Sequence, residues 1–104
     1  MEKAKKAVVE FTKERDWDQF HTPASLSRAI SIEAAELLQN FLWDEKYDKQ
    51  KVCDELADVV NFCILLANKL DVDLEELVLN KLIENGKKYP IEKAKGVSTK
   101  YTEL

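Results

Sequence analysis

Residues 22–43 read TPASLSRAISIEAAELLQNFLW and residues 48–70 read DKQKVCDELADVVNFCILLANKL. In the first stretch Thr22-Pro23 is a helix start, with Thr as N-cap and Pro at the first helical position, where its missing N–H costs nothing. Leu26, Ala29, Ile30 and Leu37 then recur at helical spacing, which predicts a helix running to about Trp43. The second stretch places Val59, Phe62 and Leu66 on one sector of a helix and Leu56, Val60, Cys63 and Ala67 on another, predicting a helix from about Asp48 to Leu70. Its polar remainder, Asp54, Asn61 and Asn68, is narrow. Two apolar sectors are more than one antiparallel neighbour covers. The excess calls for burial by a second copy, most simply a C2 dimer, with two dimers able to stack.

Outward from this pair the chain stays helical. A first helix is expected over about residues 2–15, with Ala4, Val8 and Phe11 on one stripe and Ala7 beside it. Residues 16–21 read as a loop, and the charged run from Asp44 to Lys49 reads as a connection. Asp73, with Glu76 three residues later, resembles a capping box and opens a fourth helix. That helix ends near Gly86 to Lys88, because Pro90 blocks its continuation. Residues 90–104 are expected to be irregular. The reading is therefore all-α, and 104 residues fit a single domain, 1–104. Two Gly and two Pro supply too little turn material for an all-β fold.

Charge and cysteine usage narrow the function. With 20 acidic against 16 basic residues the net charge is −4, which argues against a nucleic-acid-binding surface. A small phosphate ligand arriving with its own cation is compatible with it. No stretch is long and apolar enough to span a bilayer, and Met1 to Lys6 lacks the apolar core of a signal peptide, so the default location is the cytoplasm. Cys53 and Cys63 fall on one predicted helix, about 15 Å apart, too far for a disulfide. With a single His, a zinc site is not indicated.

The chemistry lies in two acid pairs, Glu33-Ala34-Ala35-Glu36 and Glu55-Leu56-Ala57-Asp58. Residues three apart on a helix project within roughly 60° of each other. Each pair therefore shares one direction, and it is the direction that apolar residues mark as inward. Burying an unpaired carboxylate costs several kcal/mol, so it must find a base, a proton or a cation. No Lys or Arg occupies the centre of either sector. Four inward carboxylates suit a hard, oxygen-seeking ion, Mg²⁺ first and Mn²⁺ next. A di-iron bundle would need Glu-x-x-His motifs, which the sequence lacks.

With Arg15-Asp16-Trp17-Asp18-Gln19-Phe20-His21, Glu36 to Trp43, Lys88-Tyr89-Pro90 and Ser98 to Leu104, these pairs give a pattern that resembles the MazG-like all-α nucleoside triphosphate pyrophosphatases, with the nearest likeness to the dCTP pyrophosphatase subgroup. The resemblance implies an antiparallel four-helix unit that assembles into a dimer or a dimer of dimers. It implies Mg²⁺ held by Glu33, Glu36, Glu55 and Asp58, and hydrolysis between the α and β phosphates of a nucleoside triphosphate. It implies base contacts from Trp17, His21 and Trp43. Phe62 stands where the subgroup commonly has Tyr, so its contact with the base would be by packing alone. Lys81, Asn85 and Lys88 share one face of the predicted fourth helix by i, i+4, i+7 spacing, and are assigned to the distal phosphates. Two other readings remain open at this point: a non-catalytic helical interaction module with structural acids, and a dUTP-type pyrophosphatase on the same scaffold.

Overall fold

A computed structural model describes residues 1–104, and it is helical throughout. Four long helices, α1 (Glu2–Glu14), α2 (Pro23–Gln39), α3 (Lys49–Lys69) and α4 (Leu74–Lys88), are followed by a short α5 (Ile91–Ala94). Single 3₁₀ turns form at Asp18–Phe20 and Tyr101–Glu103. The chain divides into two units, Met1–Val72 and Asp73–Leu104. No helix is long and apolar enough to cross a membrane.

In the first unit, α3 packs along α2 and, less extensively, against α1. The helix starts are chemically explicit. The Thr22 hydroxyl accepts from the Ser25 N–H at 3.0 Å, and Ser25 Oγ accepts from the Thr22 N–H at 2.8 Å, closing a reciprocal capping box. Asp48 caps α3 by accepting from the N–H groups of Gln50 and Lys51. Both α1 and α3 end in a Schellman turn whose left-handed residue is an aspartate, Asp16 or Asp71, each at φ 55°. The N–H of Trp17 reaches back to the Thr12 carbonyl, and the N–H of Val72 reaches back to that of Ala67. Asp tolerates this conformation better than most residues, which is how the chain turns sharply without glycine.

The core is small and lies toward the C-terminal half of α3, where Ile64, Leu65 and Ala67 are buried with Leu26 of α2 and Thr12 of α1. The N-terminal half of α3 is different. Leu56 is 51% exposed, and an open groove runs between Leu37, Leu38 and Phe41 of the α2 end and Val52 and Leu56 of α3. The two apolar sectors of α3 are thus only half covered within the chain. Cys53 and Cys63 are both free thiols.

Helix α2 stops at Gln39, short of Trp43. The Asn40 side-chain amide donates to the carbonyls of Glu36 and Leu37, at 3.4 and 3.2 Å, and so caps the helix. Phe41 then closes a tighter i→i−3 bond to Leu38, and its ring packs at a tilt against Tyr47, with centroids 5.3 Å apart.

In the second unit, Asp73 caps α4 by accepting from the Glu76 N–H at 3.0 Å, the single half of the expected capping box that forms. Residues 90–104 are more ordered than expected. The Pro90 carbonyl accepts from Lys93 and Ala94 to start α5, Gly96 turns the chain at φ 80°, and Tyr101 meets Tyr89 edge-on at 5.9 Å. One helical turn of four residues is too short to register as periodicity.

Candidate functional site

Because α2 and α3 lie side by side, their acid pairs converge. Carboxylate oxygens of Glu33, Glu55 and Asp58 lie within 4.8 Å of one another, a spacing that one metal ion can bridge. Glu36 lies outside that trio of oxygens but adjoins it, hydrogen-bonding with and repelling both Glu33 and Glu55. No basic side chain of the first unit pairs with any of the four, since its one ion pair joins Asp18 and Lys69.

The electrostatics follow from this crowding. Burial, then hydrogen bonding with and repulsion from Glu36, and then the charges of Asp58 and Glu55, push the Glu33 carboxyl up to about 7. Glu55 is raised as well, by burial first and by Glu36 and Asp58 next. One oxygen of Glu33 and one of Glu55 are buried with no hydrogen-bond donor. Orphaned carboxylate oxygens facing one another, with no base and no N–H to satisfy them, fit a hard divalent cation. Oxygen-only donors suit Mg²⁺ or Mn²⁺ better than a thiophilic ion.

Beside the acids lies a cleft of about 450 Å³. Phe11 and Thr12 of α1 line it, with Trp17 and His21 of the 16–21 segment and Asp58, Asn61 and Phe62 of α3. Asp58 belongs to both the acid group and the cleft, which joins the two into one site. Trp17 is held edge-on to Phe11 at 5.8 Å, and the Arg15 guanidinium lies over the Phe11 ring, 3.6 Å from its centroid. Nδ1 of His21 is buried without a partner.

Of the residues singled out from the sequence, the four acids come together, and Trp17, His21 and Phe62 share the adjoining cleft. Trp43 does not line it. With α2 ending at Gln39, Trp43 sits on the following loop and is 94% exposed. Lys81, Asn85 and Lys88 lie on α4 of the second unit, where Lys81 and Lys88 both pair with Glu84, at 3.3 and 3.7 Å, and hold its carboxyl below its usual range. Lys88 also lies 5.0 Å from the Tyr101 ring.

Sequence reasoning missed Phe11, Thr12 and Asn61 as cleft residues. Phe11 read as core and Asn61 as solvent face. Asn61 is three residues after Asp58, and that spacing alone was the available signal. The Thr12 hydroxyl donates to the Val9 carbonyl at 2.8 Å, which lets it sit buried at the cleft base.

Fold and site together define an all-helical protein in which a cluster of carboxylates, of a chemistry that can hold a cation, opens onto an aromatic cleft. The chain belongs to the MazG-like family, whose model matches residues 28–104. It is 35% identical to human dCTP pyrophosphatase 1 and 34% identical to the bovine protein, in alignments that cover 100% of this chain and 67% and 68% of those proteins. Its structure is similar to that of a pyrophosphatase from Archaeoglobus fulgidus, with a TM-score of 0.80 at 35% identity, over 86% of this chain and 92% of that one.

Proposed function

We propose that this chain hydrolyses nucleoside triphosphates to monophosphate and pyrophosphate, acting on dCTP or a related or modified deoxynucleotide, and so cleanses the nucleotide pool. The observation that carries the proposal is the sharing of Asp58 between the acid group and the aromatic cleft. A triphosphate with its base in the cleft would reach the acids with its phosphates. The names of the mammalian relatives and of the archaeal neighbour support the same chemistry.

Glu33, Glu36, Glu55 and Asp58 would hold Mg²⁺, with Mn²⁺ as a substitute. The ion would neutralise phosphate charge that the acids would otherwise repel. Trp17 and Phe62 offer faces for the base, and His21 offers a ring nitrogen to its edge. Glu33 and Glu36 are the candidates to take the proton of the water that attacks the α-phosphorus. Lys81, Asn85 and Lys88 are assigned to the distal phosphates. The half-covered apolar face of α3 supports a homo-oligomer, dimer or tetramer, and Trp43 would reach a base only from a second subunit.

The test is pyrophosphate release from each deoxynucleoside triphosphate, with Mg²⁺ and with EDTA, for wild type and Glu36→Ala. Mg²⁺-dependent turnover that the folded variant loses is the expected result, and the panel ranks dCTP against dUTP. A folded wild type that releases nothing from any of them would sink the canonical-substrate reading and leave a modified nucleotide or the interaction-module reading.

A further inference from the structure

The cleft has two walls of different construction. One is α3, carrying Asp58, Asn61 and Phe62, and the other is the 16–21 segment, carrying Trp17 and His21. Hydrogen bonds tie that segment to itself and to its neighbours in sequence. The Trp17 N–H donates to the Thr12 carbonyl of α1 at 3.0 Å. The Gln19 amide donates to the carbonyl and the carboxylate of Asp16, and Ser25 Oγ of α2 donates to the Phe20 carbonyl. None of these bonds reaches α3. The polar link between the two walls is the ion pair of Asp18 Oδ1 with Lys69 Nζ, at 2.9 Å.

Lys69 occupies the last turn of α3, where the free carbonyls of the helix end favour a cation. It lies one turn, about 6 Å, beyond Leu65, the last α3 residue in the cleft. The Lys69 side chain is 27% exposed and that of Asp18 54%, so the pair is half open to solvent, and its strength is that of a surface bridge. Asp18 lies between the two cleft residues of its segment, does not line the cleft, and pairs with Lys69 instead.

We propose that Asp18 and Lys69 are positioning residues, whose ion pair sets the Trp17–His21 wall at the distance from α3 that a nucleotide base requires. This rests on the nucleotide-site reading above. Neither residue lines the cleft, so both act through Trp17 and His21. A wall held in place before binding spares the ligand the cost of ordering it. The acids, carried by α2 and α3, do not depend on the tie. Its loss therefore weakens substrate binding and leaves the chemical step alone.

Kinetics on the whole 104-residue chain, with Trp43 retained, test the claim through Asp18→Asn, Lys69→Glu and the swapped double variant Asp18→Lys/Lys69→Asp. For Asp18→Asn, KM for the preferred nucleotide is expected to rise about three- to fivefold, near the upper range for a partly exposed pair, with kcat within about twofold of wild type. Lys69→Glu, which replaces attraction by repulsion, is expected to raise KM further, and the swap to recover most of the loss. In a Trp43→Phe background, Trp17 is the only tryptophan. Its acrylamide quenching is expected to increase in both single variants and fall back in the swap. Unchanged KM and quenching in the single variants, or a swap no better than the worse of them, would overturn the proposal, as would a loss of melting temperature with neither readout moved. If wild type turned over no nucleotide, the functional reading would fall, while quenching would still decide whether the tie holds Trp17.

Discussion

Cation binding to the acid group is expected to be linked to proton release, with a pH window set by Glu33. In the folded chain its carboxyl is raised from an ordinary 4.5 to about 7. The folded protein thus keeps a proton that the unfolded chain gives up between those values. Without a cation, this group's contribution to stability falls as pH rises from 4.5 to 7 and levels off above, because the proton count of the native state exceeds that of the unfolded state only inside that window. A cation works in the opposite sense, since it binds the deprotonated ligand. At pH 6 roughly one molecule in ten is ionised at Glu33, and at pH 8 about nine in ten are. Displacing that single proton makes the apparent Mg²⁺ or Mn²⁺ affinity rise about tenfold between pH 6 and pH 8. Glu55, raised by the same neighbours, adds to the effect in the same direction. Isothermal titration calorimetry in buffers of differing ionisation enthalpy is the assay. It should count close to one proton released per ion at pH 6 and almost none at pH 8, and Glu33→Gln should flatten the profile. Equal affinity at both pH values, with no proton release at pH 6, would refute the argument that these carboxylates converge on a cation.

Other perturbations have equally definite outcomes. Leu26, 1% exposed, anchors α2 in the small core, and Leu26→Ala should lower urea-melt stability by about 2–5 kcal/mol. Thr22→Ala, which breaks the capping box, should cost about 0.5–2 kcal/mol in the same assay. Leu56→Glu places a charge in the open groove of α2 and α3, and light scattering should find a smaller assembly than wild type, with a native circular dichroism spectrum. Trp17→Ala removes an aromatic face from the cleft and should raise KM about tenfold with little change in kcat, as steady-state kinetics would record.

How far the sequence could be read depended on whether the deciding chemistry was local. Thr22, Asp48 and Asp73 each announce a helix within three residues of themselves, and all three are caps in the structure. The acid pairs were equally legible, since i, i+3 spacing fixes a shared direction and the surrounding apolar residues say where it points. The end of α2 was not. Asn40 sits inside an apolar run and acts by turning its amide back onto Glu36 and Leu37, so nothing in the pattern marks the stop. Trp43 was misplaced for the same reason, being carried on a loop where a helix was expected. The cleft was only partly legible because it forms where α1 meets α3 across some fifty residues of chain, a separation over which periodicity is silent about Phe11, Thr12 and Asn61. Neither aspartate that ends α1 or α3 carries the glycine signal usual at such turns.

The central claim, that the acid group directs water onto the α-phosphorus of a nucleoside triphosphate, is tested most directly by turnover in ¹⁸O-labelled water, with Mg²⁺ and with EDTA. Mass spectrometry should find a single ¹⁸O in the nucleoside monophosphate, none in the pyrophosphate, and no reaction under EDTA. Label in pyrophosphate or orthophosphate, or turnover indifferent to EDTA, would contradict it.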